Sequence, residues 1–142
     1  MGTTYAATAR ISITATPERV WDALTNPRLI KQYLFGTEAI SDWKVGSSIT
    51  YRGTWEGKPY EDKGKILSMV PNKLFKASYW SAAFGREDKP ENYLIVTYEI
   101  SESDGATTLS ITTDNNPSQA GADHSASNWS SVLEKLKALL EA

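Results

Sequence analysis

Ala126, Trp129, Val132, Leu133, Leu136, Leu139 and Leu140 recur at spacings of three and four near the end of the chain. That period gathers them on one face of an α-helix, while Glu134, Lys135, Lys137 and Glu141 fall on the other. A helix of about 20 residues is ~30 Å long. An apolar stripe of that length has to be buried, so the remainder of the chain must supply a surface broad enough to cover it.

The residues ahead of it carry a period of two, which marks half-buried strands. Residues 4–15 alternate, with Tyr5, Ala7, Ala9, Ile11 and Ile13 pointing one way. Residues 47–55 place Ile49, Tyr51, Gly53 and Trp55 on one face, and 60–70 place Asp62, Gly64 and Ile66 together. Residues 92–101 align Leu94, Val96, Tyr98 and Ile100, and 106–113 align Leu109 and Ile111. Shorter candidates lie at 37–41 and 73–80, and 81–90 reads as a loop. Glu56-Gly57-Lys58-Pro59, Pro71-Asn72 and Asp104-Gly105 are turn signals, which makes the sheet antiparallel. Residues 114–123 are polar and read as irregular.

Between the first two strands the chain signals two short helices. Thr16-Pro17-Glu18 opens one with a cap, a proline and an acid in the first turn. Asn26-Pro27 ends it and starts the next, whose stripe is Leu29, Ile30, Tyr33 and Leu34 and whose stop is Gly36. Strands segregated from helices predict an α+β fold: a curved antiparallel sheet of about six or seven strands, two short helices after the first, and a long C-terminal helix. No linker or repeat divides residues 1–142, so one domain is expected.

Composition narrows the function classes. Cysteine is absent, which excludes disulfides, thiolate catalysis and cysteine-based zinc sites. With 15 basic and 17 acidic residues, nothing favours nucleic acid or an anionic membrane as a partner. No run approaches the ~18 apolar residues of a membrane span, and Met1 to Ala6 lacks the blocks of a signal peptide, so a cytoplasmic location is expected. Asp114-Asn115-Asn116 lacks the glycine and distal glutamate of a calcium loop, and no metal or cofactor is expected. His124 is the lone histidine. It sits in a polar stretch that suits a surface or capping role, and no Gly-x-Ser-x-Gly elbow offers it a nucleophile.

The aromatic residues Tyr51, Trp55, Tyr79, Tyr98 and Trp129 are expected on the inner side of the sheet and helix, either lining a cavity or filling the core. Asp62, Ser78 and Thr113 interrupt the inward apolar stripes. An inward carboxylate is costly unless paired or hydrated, so Asp62 is expected to meet a ligand, a base such as Arg52, or solvent at a sheet edge. The candidate ligand-binding set is Tyr51, Trp55, Asp62, Tyr79, Tyr98, Thr113 and Trp129.

The segment Ile11-Ser12-Ile13-Thr14-Ala15-Thr16-Pro17-Glu18-Arg19-Val20-Trp21-Asp22-Ala23-Leu24-Thr25-Asn26-Pro27 resembles the first strand and helix of the SRPBCC superfamily, which includes the START-related and birch-pollen-allergen-like proteins. Gly64-Lys65-Ile66-Leu67 with Pro71, Pro90-Glu91-Asn92-Tyr93 leading to Val96-Thr97-Tyr98-Glu99-Ile100, and Asn128-Trp129 with Val132-Leu133 resemble its later segments. Within it, the chain is similar to the bacterial group named after the activator of the ninety-kilodalton heat-shock chaperone's ATPase. The resemblance implies a helix-grip fold, a sheet wrapped around the long helix with a cavity between them. The eukaryotic activator adds an N-terminal chaperone-binding domain, for which this chain is not expected to have room. Elsewhere the superfamily includes lipid carriers, hormone receptors and polyketide cyclases or aromatases. Three readings follow. The first is a binding domain for a hydrophobic small molecule, as a monomer or homodimer. The second is a chaperone-cofactor-like interaction domain with an apolar patch around Phe84 or Leu34-Phe35. The third is a cyclase-type enzyme using Asp62, a tyrosine or His124.

Overall fold

The computed structural model describes residues 5–34, 36–82 and 86–142, with Trp55 in its backbone only. The elements are β1 (Tyr5–Ile13), α1 (Pro17–Thr25), α2 (Pro27–Tyr33), β2 (Glu38–Ser41), β3 (Ser48–Trp55), β4 (Lys58–Val70), β5 (Leu74–Tyr79), β6 (Leu94–Ser103), β7 (Ala106–Asn116) and α3 (Gln119–Glu141). The described strands form one antiparallel sheet in the order β1-β7-β6-β5-β4-β3-β2. This is the α+β arrangement that the two periods in the sequence imply, in the helix-grip form that the resemblance implies.

Local chemistry sets the helix boundaries. Thr16 Oγ1 accepts from the Arg19 N–H at 3.3 Å and opens α1. Asn26 serves twice: its N–H closes α1 on Asp22 O, and its Oδ1 accepts from the Arg28 N–H at 3.0 Å to open α2. Past α2, Gly36 takes φ +80° and donates to Lys31 O at 3.0 Å. A side chain is disfavoured in that left-handed conformation.

The polar stretch 114–123 is more ordered than its composition suggests. β7 continues to Asn116, and α3 starts at Gln119. Asn116 Nδ2 donates to Tyr5 O and to Thr113 O at 2.9 Å each, and its Oδ1 accepts from Ser125 Oγ at 2.9 Å. Ser118 Oγ then caps α3 by accepting from the Gly121 N–H at 3.0 Å. Polar residues that mark a loop by composition here end a strand and cap a helix.

The helices cover the sheet unequally. α3 packs chiefly along β1 and then β7. Ile13, Leu109, Ile111, Leu133 and Leu136 are essentially inaccessible there. A second apolar cluster, Ile49, Ile66, Phe75 and Ala77, lies under β3 to β5 and is roofed by Trp21 of α1 and by Trp43. Trp21, Trp43, Tyr51 and Tyr98 touch both clusters. The functional candidates sit along this seam.

Candidate functional site

A row of rings runs along the seam. Trp129 meets Tyr98 edge-on at 5.8 Å, and Tyr98 meets Phe75 edge-on at 5.5 Å. Phe75 in turn faces Trp21 at 6.2 Å and Trp43 at 6.3 Å. A branch leads from Tyr51 to Tyr79 at 6.1 Å. These centroid distances lie in the range of favourable aromatic pairs. The pairing follows from register, because Phe75 stands opposite Tyr98 across β5 and β6.

Where α2, α3 and the sheet meet, the packing leaves a void of about 20 Å³. Leu24, Ile30, Leu34, Ile111, Val132 and Leu136 form its apolar wall, and Tyr33, Tyr51, Tyr98 and Trp129 its aromatic one. A void needs roughly 10–15 Å³ to admit one water, whereas small-molecule sites run to about 300–1,000 Å³. The expected hollow is therefore narrow in this conformation, because the aromatic side chains that were its candidate lining occupy most of it.

The tyrosine hydroxyls divide into two pairs. Tyr33 donates to Ala23 O at 2.7 Å, and Tyr79 donates to Asp62 Oδ2. The hydroxyls of Tyr51 and Tyr98 have no hydrogen-bond partner among the described residues. Burial pushes all four hydroxyls well above their ordinary pKa. At neutral pH they are therefore all protonated donors. Tyr33, Tyr51 and Tyr98 line the same void, and the Tyr79 ring lies 6.1 Å from that of Tyr51.

The other candidates are placed as follows. Asp62 is half-buried on the inner face. Its partner is Tyr79 and not Arg52: the register sets Asp62 opposite Tyr51 and Arg52 opposite Glu61, so Arg52 leaves by the other face and pairs with Glu61 at 3.3 Å. Thr113 is 1% exposed, and its Oγ1 has no hydrogen-bond partner. It lies on the inner face between Ala7 and Val96, away from the void. Ser78 is not part of the inner stripe; its Oγ accepts from the Lys65 N–H at 3.0 Å, repairing a break in the β4–β5 ladder. His124 is exposed and hydrogen-bonds Asn128 at 3.1 Å. Phe35, Phe84 and the Trp55 side chain lie outside the described residues, while Leu34 is half-buried against the void.

Sequence reasoning missed Ile30, Tyr33 and Leu34 as wall residues. They were read as helix stripe, and only the docking of α2 beside α3 turns them toward the seam. Among the described residues no group of three metal-ligating side chains comes together, and no helix is long and apolar enough to cross a membrane.

Comparison with known proteins places this architecture. A structure of ChR145 from Cytophaga hutchinsonii is 42% identical, with a TM-score of 0.85 over 99% of this chain and 97% of that one. The Aha1 dimer from Colwellia psychrerythraea is 22% identical, with a TM-score of 0.74 over 96% of each chain. DynU16, a protein of the dynemicin biosynthetic locus, is 17% identical, with a TM-score of 0.81 over 96% of this chain and 47% of that one. The two more distant likenesses concern the fold alone. No curated protein matches. The family described as Activator of Hsp90 ATPase homolog 1-like protein matches residues 14–141, and the chain belongs to that family.

Proposed function

We propose that the protein binds a small, largely apolar or aromatic molecule between α2, α3 and the sheet. The observation that carries this reading is the void at the seam. It lies within the larger apolar cluster, beside Tyr51 and Tyr98, which touch both clusters, and its wall mixes aliphatic side chains with two phenols that have no partner among the described residues. Native interiors are close-packed, so a seam that leaves a void beside phenols with no partner among the described residues is a natural place for a guest. Entry requires the seam to widen. The short helix α2 and the Trp129 ring are the parts whose displacement would do so. The ligand then selects an open conformer, and its apparent affinity falls by the fraction of molecules that are open.

The test is a thermal-unfolding screen with neutral aromatic compounds, followed by NMR titration of any that act. A ligand at a hundred times its Kd stabilises the folded state by about 2.7 kcal/mol. Resonances of Tyr51, Tyr98, Trp129 and Val132 should then move together. A screen in which no compound raises the midpoint, or one whose shifts map to the outer face, would count against the proposal.

The family description favours a second reading, a chaperone-cofactor-like interaction. It predicts a change in the ATPase rate of a ninety-kilodalton heat-shock chaperone on adding this protein. An unchanged rate and no co-purification would remove it. The cyclase-type reading has less geometric support, because Asp62 and Tyr79 bond one another and neither lines the void.

A further inference from the structure

We infer that the Tyr51 and Tyr98 hydroxyls form a polar subsite that accepts the carbonyl oxygen of a neutral, ketone-type aromatic ligand and discriminates against carboxylates. This rests on the binding proposed above and specifies the chemistry of its ligand. Tyr33 and Tyr79 already have acceptors in Ala23 O and Asp62. Tyr51 and Tyr98 have none among the described residues, and both line the void. Burial holds both phenols protonated, so each presents an O–H donor. A carbonyl oxygen has two lone pairs and can accept from both. The remaining wall around it is aliphatic at Leu24, Ile30, Leu34, Ile111, Val132 and Leu136 and aromatic at Tyr33 and Trp129, and it suits the ring system that carries the carbonyl. Among the described residues no Lys, Arg or His lines the void. A carboxylate placed there would give up its hydration without gaining a cation, which is strongly unfavourable.

The experiment uses three probes with one ring system, 2-acetylnaphthalene, 2-isopropylnaphthalene and 2-naphthoate. Their Kd values are measured by NMR titration on the wild-type protein, Tyr51→Phe, Tyr98→Phe and the double variant. Neither substitution removes a hydrogen bond seen in the protein, so the variants should keep their fold, and a matching thermal midpoint checks this. Each hydroxyl removed should weaken the ketone by roughly two- to tenfold and leave the hydrocarbon unchanged or slightly tighter. The naphthoate should not bind. If the double variant binds the ketone as the wild type does, or loses ketone and hydrocarbon equally, the subsite is wrong and the binding proposal stands. Naphthoate binding as tight as the ketone also overturns the subsite. If none of the three probes binds, the binding proposal itself falls, and the subsite with it.

Discussion

Gly64 is held by sterics more tightly than any other described glycine. A Cβ built there would lie 1.7 Å from Ser78 O and 2.6 Å from the Ser78 carbonyl carbon. Both are backbone atoms and cannot swing aside. Gly64→Ala should therefore destabilise the protein by at least about 3 kcal/mol, the upper part of the range for overpacked cores, measured by urea unfolding. A loss under about 1 kcal/mol would mean that the β4–β5 crossing is looser than described. Thr113 is the opposite case. Its buried Oγ1 has no partner, so Thr113→Val removes an unsatisfied hydroxyl and keeps the shape. That change should be neutral or stabilising by up to about 1 kcal/mol; a clear destabilisation would reveal a hydrogen bond at this hydroxyl. At this scale the sequence is half legible. Alternation correctly puts Asp62 and Thr113 inward, because side-chain direction is local. Partner choice is not local: the identity of Asp62's neighbour depends on how β5 sits against β4, and Tyr79 enters only through that pairing.

The closing turn of α3 shows how one element is tied to another. The Thr14 N–H donates to Glu141 Oε2 at 2.8 Å, Lys137 Nζ donates to Ser12 O at 2.7 Å, and Lys137 pairs with Glu141 at 3.3 Å. The Thr14 N–H, assisted by Lys137, holds the Glu141 carboxyl below its ordinary value of 4.5. A carboxyl whose pKa is lower in the folded state adds stability above its unfolded pKa and loses it as pH falls through the folded one. The wild type should thus exceed Glu141→Gln in thermal midpoint by a constant margin at neutral pH. That margin should shrink once pH drops below about 4.5. A gap that stays the same down to pH 3 would show that the carboxylate charge is not what matters. Salt bridges at such exposed positions are weak, so the backbone donor is the more important partner. Element boundaries were legible wherever a cap or proline marks them, as at Thr16-Pro17 and Asn26-Pro27. The stretch 114–123 was not, because its caps resemble loop residues until the strand and helix they join are known.

Over the whole molecule, the architecture followed from two periods in one chain, since a long apolar helix stripe and a run of alternating strands leave few arrangements that bury both. The void did not follow. Its size depends on how closely α2 and α3 approach the sheet, a matter of an ångström or so that no periodicity records. The sheet order has a consequence of another kind, for the route by which the chain reaches this state. Among the described strands β1 is at the edge with β7 as its neighbour, and Ile11 faces Leu109, roughly a hundred residues further along, so closing that loop carries a large entropic cost. α3, which rests mainly on β1, gains most of its platform only with that closure. The hairpins β3–β4 and β6–β7 need only short loops and can nucleate early, whereas long-range pairing is slow. Pulsed hydrogen exchange during refolding should therefore protect the amides of those hairpins first, with β1 and α3 gaining protection later and together. Early protection in β1 would overturn that order. β1 and α3 act as the clasp that closes on a sheet already formed.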